Sequence, residues 1–202
     1  MKMRQDSSRL ITVSGVILDR DGTVIREAEY LTDIRKIRLL PGAAAAIRRL
    51  NKKQLPVAIV TNQAAVARGL IDEPRVKAIN EEVVKRLARR GAAINHLEYC
   101  PHHPEGRVKR YARKCRCRKP APGMLLRAAK ALSLDLMRSV VIGDNVGDIK
   151  AGRAVGATTI LLLGGHGRKA KRELEKIGLK PDHVTTTLCK AVEWWLKQRS
   201  RN

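Results

Sequence analysis

The chain has 202 residues, 44% of them hydrophobic, enough to bury one sizeable core and to read as a single domain. Its 42 Lys and Arg against 19 Asp and Glu leave a net charge of +23, which favours anionic partners such as phosphate esters, nucleic acid or acidic lipid surfaces without choosing among them. No apolar run approaches a membrane span and the polar start Met1-Lys2-Met3-Arg4 lacks the apolar core of a signal peptide, so a soluble, cytoplasmic protein is expected.

Residues 1–9 read as a flexible N-terminus and 10–198 as the folded unit. Val13 to Leu18 is an apolar, β-branched run, short enough for a strand buried on both faces. It leads directly into Asp19-Arg20-Asp21-Gly22-Thr23, where two carboxylates two residues apart point the same way from an extended backbone before Gly22 permits a turn. A helix is expected over Gly42 to Lys53, then a second apolar run, Val57 to Val60, that ends at Thr61. Asp72 can cap a further helix with Pro74 in its first turn, Val76, Ile79, Val83 and Leu87 along one face, and Gly91 at its end.

Cys100-Pro101-His102-His103-Pro104 and Cys115-Arg116-Cys117 come next, and Arg107 to Lys119 carries eight basic residues with no acidic one between them. Helix Pro122 to Leu132, strand Val140 to Ile142, Asp144, helix Asp148 to Val155, strand Thr158 to Leu163 and helices Lys169 to Lys176 and Thr186 to Gln198 complete the pattern. Strand-helix alternation of this kind predicts an α/β fold, a parallel sheet with helices on both sides, in which ligands gather at the carboxyl ends of the strands. Asp19, Thr61 and Asp144 each follow an apolar run, so three polar side chains are expected to converge on one ligand. Trp194 and Trp195 fall on the last helix, where at least one is expected to pack against the sheet, and His166 in a glycine-rich turn is set aside as incidental.

One carboxylate of the Asp19–Asp21 pair can attack phosphorus while the other serves as general acid and base, provided a cation offsets the gathered charge. Asp144 is a third carboxylate. Mg²⁺ takes hard oxygen ligands and keeps several waters, so two carboxylates, a backbone carbonyl and a substrate phosphate would suffice. Thr61 and Lys119 can donate to the oxygens of a phosphoryl group in transfer. Three sulfurs and one imidazole suit a closed, structural tetrahedral Zn²⁺ site, with His102 and His103 competing for the fourth position. Lys119 lies two residues after Cys117, so a zinc ion would order a cationic loop that self-repulsion favours disordering.

Asp19-Arg20-Asp21-Gly22-Thr23, Thr61-Asn62-Gln63, Lys119 and Gly143-Asp144 resemble, in this order, the four motifs of the haloacid dehalogenase superfamily. The resemblance implies a three-layer, doubly wound, Rossmann-like parallel sheet with a minimal cap. It also implies an aspartyl-phosphate at Asp19, proton transfer by Asp21, phosphoryl contacts from Thr61 and Lys119, and Mg²⁺ held by Asp19, the Asp21 carbonyl and Asp144. Asp148 is implied as a support for the loop or the lysine.

The zinc-binding loop, residues 100–119, resembles the nearly capless branch that includes heptose-bisphosphate and histidinol-phosphate phosphatases. Ala67-Arg68-Gly69 and Pro122-Gly123-Met124-Leu125 look nearest the heptose enzymes. That resemblance implies zinc on Cys100, His102, Cys115 and Cys117, and substrate contacts from Glu27, Tyr30, Asn62, Gln63, Arg118 and Asn145. A monomer acting on a small phosphorylated sugar follows from it. Asn145 stands where the heptose enzymes usually carry Lys, Ala64 stands where a small hydroxyl residue is usual, and Glu27-Ala28-Glu29-Tyr30 is more acidic than expected for a bisphosphate site. Histidinol phosphate and 3′-phosphorylated DNA therefore remain alternative substrates, and the charge keeps nucleic-acid binding as a competing, disfavoured class. The intact set Asp19, Asp21, Thr61, Lys119 and Asp144 opposes a non-catalytic scaffold.

Overall fold

Alternate side chains of a strand point to opposite faces, so an apolar run with both faces covered must sit in the interior of a layered fold. A computed structural model describes residues 12–200 and shows this arrangement; the N-terminal expectation for residues 1–9 lies outside the described residues. Strands β1 (Val16–Leu18), β2 (Val57–Asn62), β3 (His96–Cys100), β4 (Val140–Gly143), β5 (Thr158–Leu162) and β6 (His183–Thr185) form one sheet in the order β3-β2-β1-β4-β5-β6. Every pairing is parallel, and Leu18 stands level with Ile59 on one side and Ile142 on the other.

Val16, Leu18, Val57, Ile59, Val140 and Ile142 face helices α1 (Ala43–Lys52), α3 (Glu73–Ala88) and α7 (Leu188–Arg199). Ile17, Ala58, Val60 and Val141 face the opposite layer, where α4 (Gly123–Leu132) and α5 (Val146–Arg153) pack. Ile149 and Leu161 continue that layer against Ala170 and Leu174 of α6 (Gly167–Lys176). A one-turn helix α2 (Ala64–Ala67) follows β2. The connections change face between the β1–β2–β3 half and the β4–β5–β6 half. The crevice at the carboxyl ends of β1 and β4 is thus the switch point of the sheet, where such folds bind ligands.

The α/β class and the helix-covered parallel sheet match expectation, with instructive differences at the edges. The first strand starts at Val16, because Val13 bridges Leu134 instead. β3 and β6 were not expected: four residues of β3 and all three of β6 are half-buried, lacking the apolar run that marks a central strand. α5 begins at Val146 rather than Asp148, since Asn145 Oδ1 accepts from Gly147 N at 3.2 Å and Asp148 Oδ2 accepts from Asn145 N at 3.0 Å, a reciprocal cap that starts the helix early. Asp72 caps α3 as expected, accepting from Arg75 N at 2.9 Å. Trp195 is buried and Trp194 stacks on His183 at 4.4 Å.

Candidate active site

Asp19 follows β1, Thr61 lies in β2 and Asp144 follows β4, so three adjacent strands deliver three polar side chains to one edge. They line a cavity of about 470 Å³ together with Asp21, Glu27, Tyr30, Asn62, Gln63, Arg118, Lys119, Asn145, Lys150 and His166. Lys119 is buried and its Nζ donates to Asp19 Oδ1 at 2.6 Å and to the Val60 carbonyl at 2.9 Å, while Asp148 Oδ1 lies 2.6 Å away. Oxygens of Asp19, Asp144 and Asp148 lie within 4.8 Å of one another.

One ammonium cannot balance three buried carboxylates. Burial raises the Asp19 carboxyl well above its ordinary range, Lys119 opposes that rise, and the charges of Asp148, Asp144 and Asp21 add to it. Asp144 is pushed up to about 7 by burial, against the His166 N–H that donates to its Oδ2 at 2.8 Å. An oxygen-lined site short of positive charge fits a hard divalent cation. The fit extends to the backbone: Gly22 and Gly165 both have positive φ, +75° and +46°, and a Cβ on either would overlap the Asp144 carboxylate. Asp148 has both oxygens engaged, one by Lys119 and one by Asn145 N, as expected of a support.

Cys100 ends β3, and its Sγ lies 3.5 Å from Cys115 Sγ, 3.2 Å from Cys117 Sγ and 3.6 Å from His102 Nδ1. Cys117 Sγ closes the figure at 3.2 Å from Cys115 Sγ and 3.5 Å from His102 Nδ1. These edges approach the roughly 3.8 Å that a Zn–S bond of about 2.3 Å gives a tetrahedron. All four cysteines are free thiols, so the cluster is not a disulfide. His103 turns away, its Nδ1 accepting from Glu105 N at 3.1 Å, which leaves His102 as the imidazole of the set.

A family model described as HAD-hydrolase-like matches residues 116–191. The D-glycero-β-D-manno-heptose-1,7-bisphosphate 7-phosphatase of Rhodopseudomonas palustris is 43% identical over 139 residues, 69% of this chain and 77% of that protein. The chain belongs to the heptose-bisphosphate phosphatase family of HAD-like hydrolases. The enzyme of the same name from Escherichia coli strain K12 is 36% identical over 152 residues, 75% of this chain and 80% of its own. Among solved structures, D,D-heptose 1,7-bisphosphate phosphatase from B. bronchiseptica, complexed with magnesium and phosphate, aligns with TM-score 0.80 and 31% identity, covering 92% of this chain and 99% of that one. Members are phosphoric monoester hydrolases, and the strand-end geometry is that of such an enzyme.

The family's motif residues are together here, but several polar groups expected to face substrate are engaged within the protein. Asn62 Nδ2 donates to the Lys119 carbonyl at 3.0 Å and its Oδ1 accepts from Lys119 N at 3.1 Å, so its amide clamps the lysine loop. Gln63 Nε2 donates to Asp21 Oδ2 at 3.0 Å and to Thr61 Oγ1 at 2.8 Å. Asn145, exposed at the rim, uses its Oδ1 as a helix cap. Glu27 and Tyr30 line the cavity, Glu27 3.8 Å from His166 Nε2, with its carboxyl raised by burial and by the Asp21 charge.

Three contributors carried no sequence signal of their role: Arg20, buried beside Asp21; His166, whose backbone clamps Asp144; and Glu73, which ties α3 to the loop that carries the Cys/His cluster. Glu73 accepts from Tyr111 OH at 2.6 Å and from Tyr99 OH at 2.5 Å, and these bonds hold its carboxyl below the ordinary 4.5. A depressed folded value gives stability that is complete above 4.5 and lost as pH falls through the folded value. Glu73→Gln is therefore expected to lower Tm at neutral pH, with the gap to wild type closing as pH drops below the ordinary Glu range. A gap that stays constant down to pH 3 would refute the assignment.

Proposed function

We propose that the chain removes one phosphate from a sugar bisphosphate, D-glycero-D-manno-heptose 1,7-bisphosphate at its 7-phosphate, in two steps through Asp19. In the first step Asp19 attacks phosphorus, the bond to the sugar oxygen breaks, and Asp21 gives its proton to that oxygen. In the second, water attacks phosphorus while Asp21 takes its proton, and the Asp19 carboxylate is released with inorganic phosphate. Thr61 and Lys119 donate to the phosphoryl oxygens throughout. Asp19, the Asp21 carbonyl and Asp144 would hold Mg²⁺, which when bound supplies the charge that lets two anions meet. The observation that carries the reading is the convergence of Asp19, Thr61, Lys119 and Asp144 on one cavity. Residues 10–198 are taken as one catalytic unit, acting as a cytoplasmic monomer. Cys100, His102, Cys115 and Cys117 are taken as a structural zinc site.

A second phosphate needs its own cations. Lys119 and Arg20 on the cavity wall already face carboxylates, whereas Arg118 and Lys150 form no ion pair among the described residues. Two free cations suit a distal phosphate and oppose the amine of histidinol phosphate. Phosphate release should therefore be greatest with the heptose bisphosphate in a panel holding other sugar bisphosphates, histidinol phosphate and 3′-phosphorylated DNA. Arg118→Ala with Lys150→Ala should raise KM for the bisphosphate about 10- to 100-fold with kcat little changed. An unchanged KM, or preference for histidinol phosphate, would overturn the substrate class. No helix of the described residues is long and apolar enough to cross a membrane.

A further inference from the structure

The most deeply buried cation at this site is not the catalytic lysine. Arg20 is 1% exposed, and each of its three guanidinium nitrogens has a partner: Nε donates to Asp21 Oδ2 at 3.1 Å, Nη2 to Asp21 Oδ1 at 3.1 Å, and Nη1 to Asn80 Oδ1 at 2.6 Å. The first two bonds form a fork on both oxygens, which fixes the plane of the Asp21 carboxylate as well as its position. Thr61 Oγ1 at 3.3 Å and Gln63 Nε2 at 3.0 Å complete the contacts on Oδ2.

The third bond reaches across the fold. Asn80 lies on α3, on the face that carries Val76, Ile79, Val83 and Leu87 into the core, and is itself 4% exposed. Its Nδ2 has no partner among the described residues. A buried amide with half its hydrogen-bonding capacity unmet opposes stability, and an apolar residue would suit that helix face better. What Asn80 provides is one acceptor, aimed at Nη1, the one guanidinium nitrogen of Arg20 that makes no bond to Asp21. A buried guanidinium lacking that acceptor would turn to find another, and the fork on Asp21 would turn with it.

We propose that Asn80 is a positioning residue for proton transfer, holding Arg20 so that Arg20 holds the Asp21 carboxylate toward the departing oxygen. The inference rests on the two-step reading above. In the first step the proton on Asp21 goes to the leaving oxygen as its bond to phosphorus breaks. A sugar alkoxide needs that proton, whereas acetate leaving from acetyl phosphate, or nitrophenolate from p-nitrophenyl phosphate, departs without one. Misplacing Asp21 should therefore slow transfer to Asp19 for alkyl esters and spare activated ones, a split that general damage to the fold does not produce.

The test compares kcat/KM, which covers the steps through transfer to Asp19, for an alkyl phosphate ester and for acetyl or p-nitrophenyl phosphate. Asn80→Leu is expected to lower the alkyl value about 10- to 100-fold and to leave the activated value within about threefold. Asn80→Asp, which keeps the acceptor, should restore the alkyl value, and Asn80→Ala serves should the leucine variant not fold. Asp21→Asn is run beside them. If it shows the split and the Asn80 variants lose both activities equally, or neither, the positioning role is overturned; if Asp21→Asn itself spares the alkyl ester, the acid–base reading falls and the inference with it.

Discussion

Asp19→Asn should lower phosphate release by about 10⁴-fold or more while its metal-free Tm is no lower than that of the wild type. The two halves have one cause. The amide keeps the shape of the carboxylate and offers Lys119 Nζ an acceptor in place of the 2.6 Å contact, but it is a poor nucleophile toward phosphorus. It also removes a negative charge from a group whose burial, with Asp148, Asp144 and Asp21 nearby, raises its carboxyl well above 3.8. A carboxyl raised on folding contributes stability below its unfolded value, and that contribution is lost as pH rises through the folded value. Metal-free wild type should thus lose stability as pH climbs from 3.8 upward, the Asp144 share of the loss being complete by about 7, where Asp144 ionises in the folded protein; Asp19→Asn should lack the Asp19 share of that loss. Phosphate release within tenfold of wild type would exclude attack by Asp19, and a large drop in metal-free Tm would exclude the charge argument.

The parts of this site legible in the sequence are those set by local pattern. An apolar, β-branched run followed by Asp19, Thr61 or Asp144 marks the end of a buried strand, and parallel strands must place such ends together. The cluster of metal-ligand side chains was legible for a similar reason, because Cys100, His102, Cys115 and Cys117 are close in the chain and all of ligand type. The residues alone left His102 and His103 in competition and the resemblance implied His102; the direction of each imidazole after their shared turn is a matter of structure, in which His103 turns to Glu105 N. β3 was hidden because half-buried edge residues such as His96 and Glu98 follow no apolar pattern, yet β3 delivers Cys100. Arg20 and Asn80 were hidden for a deeper reason. Their contact joins positions 60 residues apart, and the helix signal in Val76, Ile79, Val83 and Leu87 leaves the meaning of a polar neighbour to the partner that tertiary packing supplies.

Removal of the proposed zinc should cost the enzyme its hold on the distal phosphate before it costs the chemistry. Lys119 has anchors of its own: Asp19, Asp148, the Val60 carbonyl and the Asn62 amide all meet it within 3.1 Å. Arg118 has none of these. Its N donates to Cys115 Sγ at 3.3 Å and its Nη1 to the His102 carbonyl at 3.1 Å, so both hydrogen bonds it donates go to the Cys/His cluster, and its own carbonyl accepts from Ala121 N at 2.8 Å. Eight basic residues from Arg107 to Lys119 press this loop outward once a central cation is gone, since burial pushes the Cys100 and Cys117 thiols up and hydrogen bonds lower that of Cys115 alone. Loss of a structural metal is among the few changes worth about 4 kcal/mol or more, near 10 °C in Tm for a chain of this length. The expected result for Cys115→Ser, or for chelated protein resupplied with excess Mg²⁺, is a lower Tm and a KM for bisphosphate raised about tenfold or more, with a smaller change in kcat. Metal analysis should find one zinc per wild-type chain. A zinc-free protein whose kcat collapses at unchanged KM would mean that the loop positions Lys119 after all, and that the buried contacts of the lysine are too weak to hold it alone.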